Sequence, residues 1–235
     1  MHERLQQDRI YVASDLLILS AQEGKLQILL SRRTGPPYAH CWALPGRFVA
    51  LGESVETAGR LLLREMLPIR DAFMEQLYTF SDVSRDPRGR VVSIASLVII
   101  PSRKLDTLLP GSSLKRFTLR QERDRLLLAG EDGEALSQSD LAFDHGAMIA
   151  MGLQRLRGKL DYTDIAFHFL SNTDAFSLGE LQEIFEAILD RSLDSSNFRR
   201  AILNRYVETG RIRQTALEER RARGRPAALY QWTEQ

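Results

Sequence analysis

Ile10 to Leu19 is an almost unbroken apolar, β-rich run, and Leu26 to Leu30 is a second. The polar stretch Ala21-Gln22-Glu23-Gly24 separates them, so the pair is predicted to form a hairpin. Glu56 to Leu67 has helical composition, and Pro68, which lacks a backbone donor, marks its end. Gln76–Phe80 and Val91–Ile100 read as strands around a tight turn, Asp86-Pro87-Arg88-Gly89, in which Pro presets φ and Gly tolerates the exit. Arg125–Leu128 and Ala135-Leu136 flank another turn, Gly130-Glu131-Asp132-Gly133. Many strands around one helix predict an α+β domain that ends near Phe143.

Beyond Asp144 the period changes. Ala147, Met148, Met151, Leu153, Leu156 and Leu160 recur at spacings near three and four, as on one helix face. Helix is expected to follow helix to about Thr209, with no β-rich run before Ile212. The predicted division is therefore residues 1–144 and residues 145–235, with the helix after Asp144 as connector.

In the second part, Ser177-Leu178-Gly179-Glu180 is a capping box ahead of a helix carrying Leu181, Ile184, Phe185, Ile188 and Leu189. Arg191-Ser192-Leu193-Asp194 is expected to turn, with Ser195 or Ser196 capping the next helix. There Phe198, Ile202 and Leu203 can face the preceding helix, leaving Asn197, Arg199 and Arg200 outward near its start, where a recognition helix presents side chains to base edges. Gly210 can close that helix. A strand from Ile212, an arginine-rich tip and a last strand Ala227–Trp232 complete the plan of a winged helix. The expected DNA contacts are Ser195, Asn197, Arg199 and Arg200 on the helix and Arg220, Arg221, Arg223 and Arg225 in the wing.

Charge supports that plan. The chain nets only +1, yet Arg191 to Gln235 holds ten arginines against five acids, a local +5. Such asymmetry suits a polyanion partner; a solvated basic tail is the alternative. Composition is otherwise ordinary for a globular protein, at 43% hydrophobic and 27% charged over 235 residues. One cysteine, Cys41, rules out an internal disulfide and a cysteine-based zinc site. The start of the chain has no apolar core of a signal peptide, and no apolar run is long enough to span a bilayer. A cytoplasmic protein is expected.

Leu44 to Ile69 carries the most specific pattern. It resembles the Nudix box: Gly, five residues, Glu, seven residues, then Arg-Glu-apolar-x-Glu-Glu-x-Gly-apolar. Counted from Glu53, the first Gly falls on Arg47, the Arg-Glu pair on Leu61 and Leu62, the Glu pair on Glu65 and Met66, and the last Gly on Pro68. Glu53, Leu63, Glu65 and Ile69 alone fit. Sliding the frame to Arg64-Glu65 puts Pro68 and Ile69 where the glutamate pair belongs. Pyrophosphate hydrolysis needs a divalent cation held by several carboxylates, and neither register supplies them. No catalytic residue, metal ligand or cofactor is assigned.

A Nudix-like domain before a winged helix resembles the NrtR family, the Nudix-related transcriptional regulators of NAD metabolism. The resemblance runs in order through Trp42-Ala43-Leu44-Pro45-Gly46, Glu75-Gln76-Leu77-Tyr78-Thr79-Phe80, Arg85–Ser93, Phe143-Asp144-His145, Tyr162-Thr163-Asp164-Ile165-Ala166, Asn197-Phe198-Arg199-Arg200 and Arg225-Pro226-Ala227. It implies a Nudix-like α/β/α sandwich followed by a winged helix-turn-helix. It also implies a homodimeric repressor of NAD biosynthesis or salvage genes that binds an inverted-repeat operator in double-stranded DNA. The effector it implies is ADP-ribose or a related NAD metabolite. Such a ligand needs cations for its diphosphate and an aromatic or apolar face for its purine. Arg32, Arg33, Arg47, Arg85 and Arg88 are the candidate cations, Trp42, Phe48 and Phe80 the candidate faces, and Glu53 and Glu65 candidate ribose partners. For each arginine a surface ion pair is the competing role, and for Trp42 and Phe80 it is core packing. His145 is expected to hold the connector helix. Two alternatives remain open: a working hydrolase of ADP-ribose-like pyrophosphates, and a regulator of sugar catabolism with the same architecture.

Overall fold

The computed structural model describes residues 9–123, 125–219 and 226–233. Contacts divide the chain into two units. The first takes the chain up to Leu19, Ile28–Ile99 and Leu108–Gly152; the second takes Ser20–Gln27, Ile100–Thr107 and the chain from Leu153 onward.

The opening hairpin joins β1 (Tyr11–Gln22) to β2 (Lys25–Arg32). Its loop is only Glu23-Gly24, with φ of 51° and 68°. Two successive positive φ angles make a turn whose twist matches the strands it joins. Then follow β3 (Trp42–Ala43), β4 (Gly46–Phe48), α1 (Val55–Met66), β5 (Phe73–Phe80) and β6 (Val91–Ile99). In chain order α2 (Ser102–Leu108), β7 (Leu114–Glu122), β8 (Arg125–Gly130), β9 (Ala135–Ser137) and α3 (His145–Lys159) come next. The strand order is β5-β6-β1-β2-β7-β8-β9, with β4 added to β1 and β3 to β2. The sheet is mixed: β1 and β6 run parallel from Tyr11↔Val91 to Leu19↔Ile99, and β5 runs antiparallel to β6.

Two glycines show how helices cover both faces of this sheet. A Cβ on Gly59 of α1 would lie 3.1 Å from the Ser14 hydroxyl and 3.3 Å from Leu16, whereas one on Gly152 of α3 would lie 2.2 Å from Leu17. Adjacent residues of a strand point to opposite faces. The helix α1 therefore packs on the Ser14/Leu16 side of β1 and α3 on the Leu17 side, which makes the sandwich. It also explains why Leu16 to Leu19 are all buried.

The second unit is built on an aromatic core. Phe167 packs against Phe176, Tyr206 and Trp232, with centroids 4.9–5.8 Å apart. The elements are β10 (Phe176–Ser177), α4 (Leu178–Leu189), α5 (Ser195–Ile202), β11 (Ile212–Glu219) and β12 (Ala227–Trp232). The strands form one small sheet in the order β10-β12-β11. The Ser177 hydroxyl caps α4 by accepting the Glu180 N–H at 3.2 Å. The turn into α5 is tied back to α4: Gln182 donates to the Leu193 carbonyl (3.0 Å), and the Leu193 N–H donates to Glu186 (2.8 Å). After Ile202 the helix widens into a π turn over Leu203–Val207 and stops at Gly210, whose φ is +70°.

Several expectations need correction. Asp194, not Ser195 or Ser196, caps α5, its carboxylate accepting the Asn197 N–H at 2.8 Å. Ser195 is the first helical residue. Strand β10 interrupts the expected all-helical stretch, because Phe176 pairs with Tyr230 on β12. The short β3 and β4, and the longer α2 and β7, were not anticipated. Among the described residues no helix is long and apolar enough to cross a membrane.

Candidate functional site

In the first unit a cavity of about 140 Å³ opens where β1, β4, the Asp86–Gly89 turn and the start of α3 meet. Its floor is the Asp15 carboxylate. Asp15 is the one charged residue in the apolar run of β1, and it lies opposite Gly46 of β4. A Cβ at Gly46 would sit 1.9 Å from Asp15 Oδ1, so only glycine lets the carboxylate lie there. Ser93 Oγ donates to Asp15 at 2.5 Å.

Beside it, Arg85 is buried and forks onto Asp144, with Nε and Nη2 donating at 3.0 and 2.7 Å, and lies 3.9 Å from Asp15. Such a fork fixes the geometry as well as the charge. His145 is fully enclosed at the head of α3, and its Nδ1 accepts the Leu44 N–H at 2.9 Å. Burial lowers its pKa, against the upward pull of Asp15 and Asp144. It is therefore a neutral ring with the proton on Nε2.

The rim is cationic and aromatic. Arg88 donates from Nε and Nη2 to Asp86 at 3.0 and 2.7 Å, which holds the aspartate below the usual carboxylate range. The same guanidinium lies 5.3 Å from the Phe48 ring centroid and 5.5 Å from that of Phe143. Arg33 stacks on Phe143 at 4.7 Å and donates to the Pro37 carbonyl at 2.9 Å. Among the described residues no carboxylate lies within ion-pair distance of it. Burial, then the repulsion of Arg88, lowers its pKa. An arginine stays protonated even so, and this guanidinium keeps N–H donors for a further acceptor. The cavity is smaller than the roughly 300–1,000 Å³ of typical ligand sites.

Of the ten residues expected to meet an effector, Arg33, Arg47, Phe48, Arg85 and Arg88 line this cavity. Glu53 and Glu65 stand behind it, reached by Arg47 at 3.4 and 3.7 Å. Arg32 points elsewhere, donating to the His40 carbonyl at 3.0 Å. Trp42 is core: it packs on Phe117 and donates its indole N–H to Glu134 at 2.8 Å. Phe80 packs edge-on against Tyr78, outside the cavity lining. Asp15, Asp86, Phe143 and Asp144 were missed, although a lone aspartate in the β1 run was a signal.

In the second unit Phe198 is buried against Phe185, with centroids 5.2 Å apart, which turns Asn197, Arg199 and Arg200 outward. Ser195, Phe198 and Arg199 share a groove with Gln214, Pro226 and Ala228, so the start of α5 and the β11–β12 hairpin face the same space. Arg200 donates to Asn197 at 3.0 Å, and Arg199 to the Tyr230 hydroxyl at 3.5 Å. The wing candidates Arg220, Arg221, Arg223 and Arg225 lie outside the described residues. Two other arginines of the basic segment have structural partners: Arg205 holds the Leu160 and Thr163 carbonyls, and Arg211 pairs with Asp164 at 2.7 Å.

Residues 166–232 match the NrtR DNA-binding winged helix domain. Over 221 residues the chain is 32% identical to the ADPR responsive transcriptional repressor NtrR of Acinetobacter baylyi, covering 93% of this chain and 80% of that protein. The chain belongs to the NrtR family. The NrtR of Shewanella oneidensis, solved with a 27mer DNA, superposes with a TM-score of 0.73 at 26% identity, covering 94% of this chain and 93% of that one. The NrtR-family assignment coexists with likeness to an enzyme. An ADP-ribose pyrophosphatase of Methanocaldococcus jannaschii is 31% identical over 151 residues, 62% of this chain and 76% of that protein.

Proposed function

We propose that this protein is a transcriptional repressor that binds operator DNA through α5 and its wing, and that ADP-ribose or a close NAD metabolite, bound at the Arg33/Arg88 cavity, alters its affinity for DNA. The observation that carries this reading is the pairing, in one NrtR-family chain, of an anion-seeking cavity with a helix whose outward residues are Asn197, Arg199 and Arg200. Each half has the chemistry of one step: guanidinium and aromatic groups for a nucleotide diphosphate, and amide and guanidinium groups for base edges and phosphates. The targets are genes of NAD biosynthesis or salvage, and the DNA-bound form is a homodimer on an inverted repeat. The domain boundary near residue 145 belongs to the same reading.

An effector acts as a switch only if it binds the free and DNA-bound states with different affinity. The test is a fluorescence-anisotropy titration of labelled upstream DNA from NAD-biosynthesis genes, with and without ADP-ribose. Binding that is tight, steeply salt-dependent and shifted by ADP-ribose supports the reading. Binding indifferent to sequence would sink it.

Hydrolysis is the second reading, favoured by the likeness to the pyrophosphatase. Glu53 and Glu65 are the surviving acids of the box, and among the described residues no group of three or more His, Cys, Asp or Glu gathers as a metal site. We infer that the chain does not cleave ADP-ribose. Incubation with ADP-ribose and Mg²⁺ should release no AMP above background; turnover at ordinary enzyme rates would restore the hydrolase.

A further inference from the structure

We propose that the Arg47 guanidinium stands in for the divalent cation of the box, so that a diphosphate is bound without metal. This rests on the nucleotide-binding reading above but is separable from it.

Arg47 occupies the position at which the box pattern has glycine. Placed on β4 next to Gly46, it reaches both surviving acids: Nη2 lies 3.4 Å from Glu53 and Nη1 lies 3.7 Å from Glu65. Glu53 precedes α1 and Glu65 lies in its last turn, so one guanidinium meets the two acids that survive from the box. The Glu53 oxygen facing Arg47 is also committed to the Ala50 N–H at 2.7 Å. Mg²⁺ requires oxygen ligands in near-octahedral array. Two carboxylates already bridged by a cation do not fit it.

The guanidinium has a second surface. Arg47 lines the cavity together with Arg33 and Arg88. Its five N–H donors exceed what two carboxylates occupy, so donors remain for an oxyanion. A guanidinium attached to the chain makes ligand binding insensitive to the supply of metal. A surface ion pair without ligand contact would have no such consequence, and that difference is measurable.

The experiment is calorimetric titration of the full-length protein with ADP-ribose, and separately with inorganic pyrophosphate, in EDTA and in Mg²⁺. Wild type should bind with the same Kd, within about twofold, in both buffers, and Arg47→Ala and Arg47→Gln should each weaken binding at least tenfold. Thermal melting of the variants checks that they are folded. A tenfold loss of wild-type affinity in EDTA would overturn the proposal, as would wild-type affinity in both folded variants. Pyrophosphate binding that is metal-free and Arg47-dependent, without ADP-ribose binding, would uphold Arg47 and retire the effector assignment. Failure of both ligands in both buffers would retire both.

Discussion

Leu44 and His145 are 101 residues apart, yet the Leu44 N–H donates to His145 Nδ1 at 2.9 Å inside the protein. The bond fastens the start of the box loop to the head of α3. It also requires a neutral imidazole, because a protonated ring has no lone pair at Nδ1.

Acid should therefore loosen the protein through this ring. Its folded-state pKa is depressed by burial below the ordinary value of 6.5. The unfolded chain then takes up the proton first, so the stabilisation is complete above about pH 6.5 and declines as pH falls beneath it. Melting temperatures between pH 7.5 and 5 should fall more for wild type than for His145→Leu. Parallel profiles would remove His145 from the account.

Asp144→Ala should be among the most destabilising single changes in the first unit, by roughly 3–5 kcal/mol, since it strips the buried Arg85 of its forked partner and leaves Asp15 at 3.9 Å. Replacing both partners, Arg85→Met with Asp144→Leu, should cost less than the single change. Urea denaturation compares them. A double variant weaker than Asp144→Ala would mean that the pair stabilises by more than mutual neutralisation.

For the cavity, Arg33→Ala should lower affinity for ADP-ribose about 10- to 100-fold, the range of a charge-assisted hydrogen bond. The melting temperature without ligand should hardly move, because this side chain's hydrogen bond goes to a backbone carbonyl, that of Pro37. Equal affinity in calorimetry would place the diphosphate elsewhere.

On α5, Arg199→Ala or Arg200→Ala should each weaken operator binding by about 1–3 kcal/mol if each reads a base. Because Arg200 donates to Asn197, the changes Asn197→Ala and Arg200→Ala should not add. Gel-shift titration of the singles and the double decides this. Asp194→Ala removes the helix cap instead, and about 1 kcal/mol of protein stability is the expected loss.

Local chemistry made much of the fold legible. The hairpin turn at Glu23-Gly24, the end of α1 before Pro68, and the turns at Asp86–Gly89 and Gly130–Gly133 all depend on neighbours in sequence. The elements missed are those held by distant partners. Strand β10 is two residues that exist as strand because β12 runs beside them, and β4 exists because β1 does. The cap of α5 went to Asp194 because the turn is bound to α4 by Glu186 and Gln182, which sets where the helix begins.

The amino-acid order alone determined that the box had lost its acids, that a helix-turn-helix and wing followed it, and that positive charge gathers at the C-terminal end. These are properties of residue type and spacing. Only the tertiary structure decided which arginines share a cavity, because Arg33, Arg47 and the Arg85/Arg88 pair come from three segments that the sheet brings together. It alone set Trp42 in the core and Asp15 under Gly46, and turned Arg47 toward Glu53 and Glu65. A side chain's partner depends on which strands pair and which faces close, and that is settled by the whole fold at once.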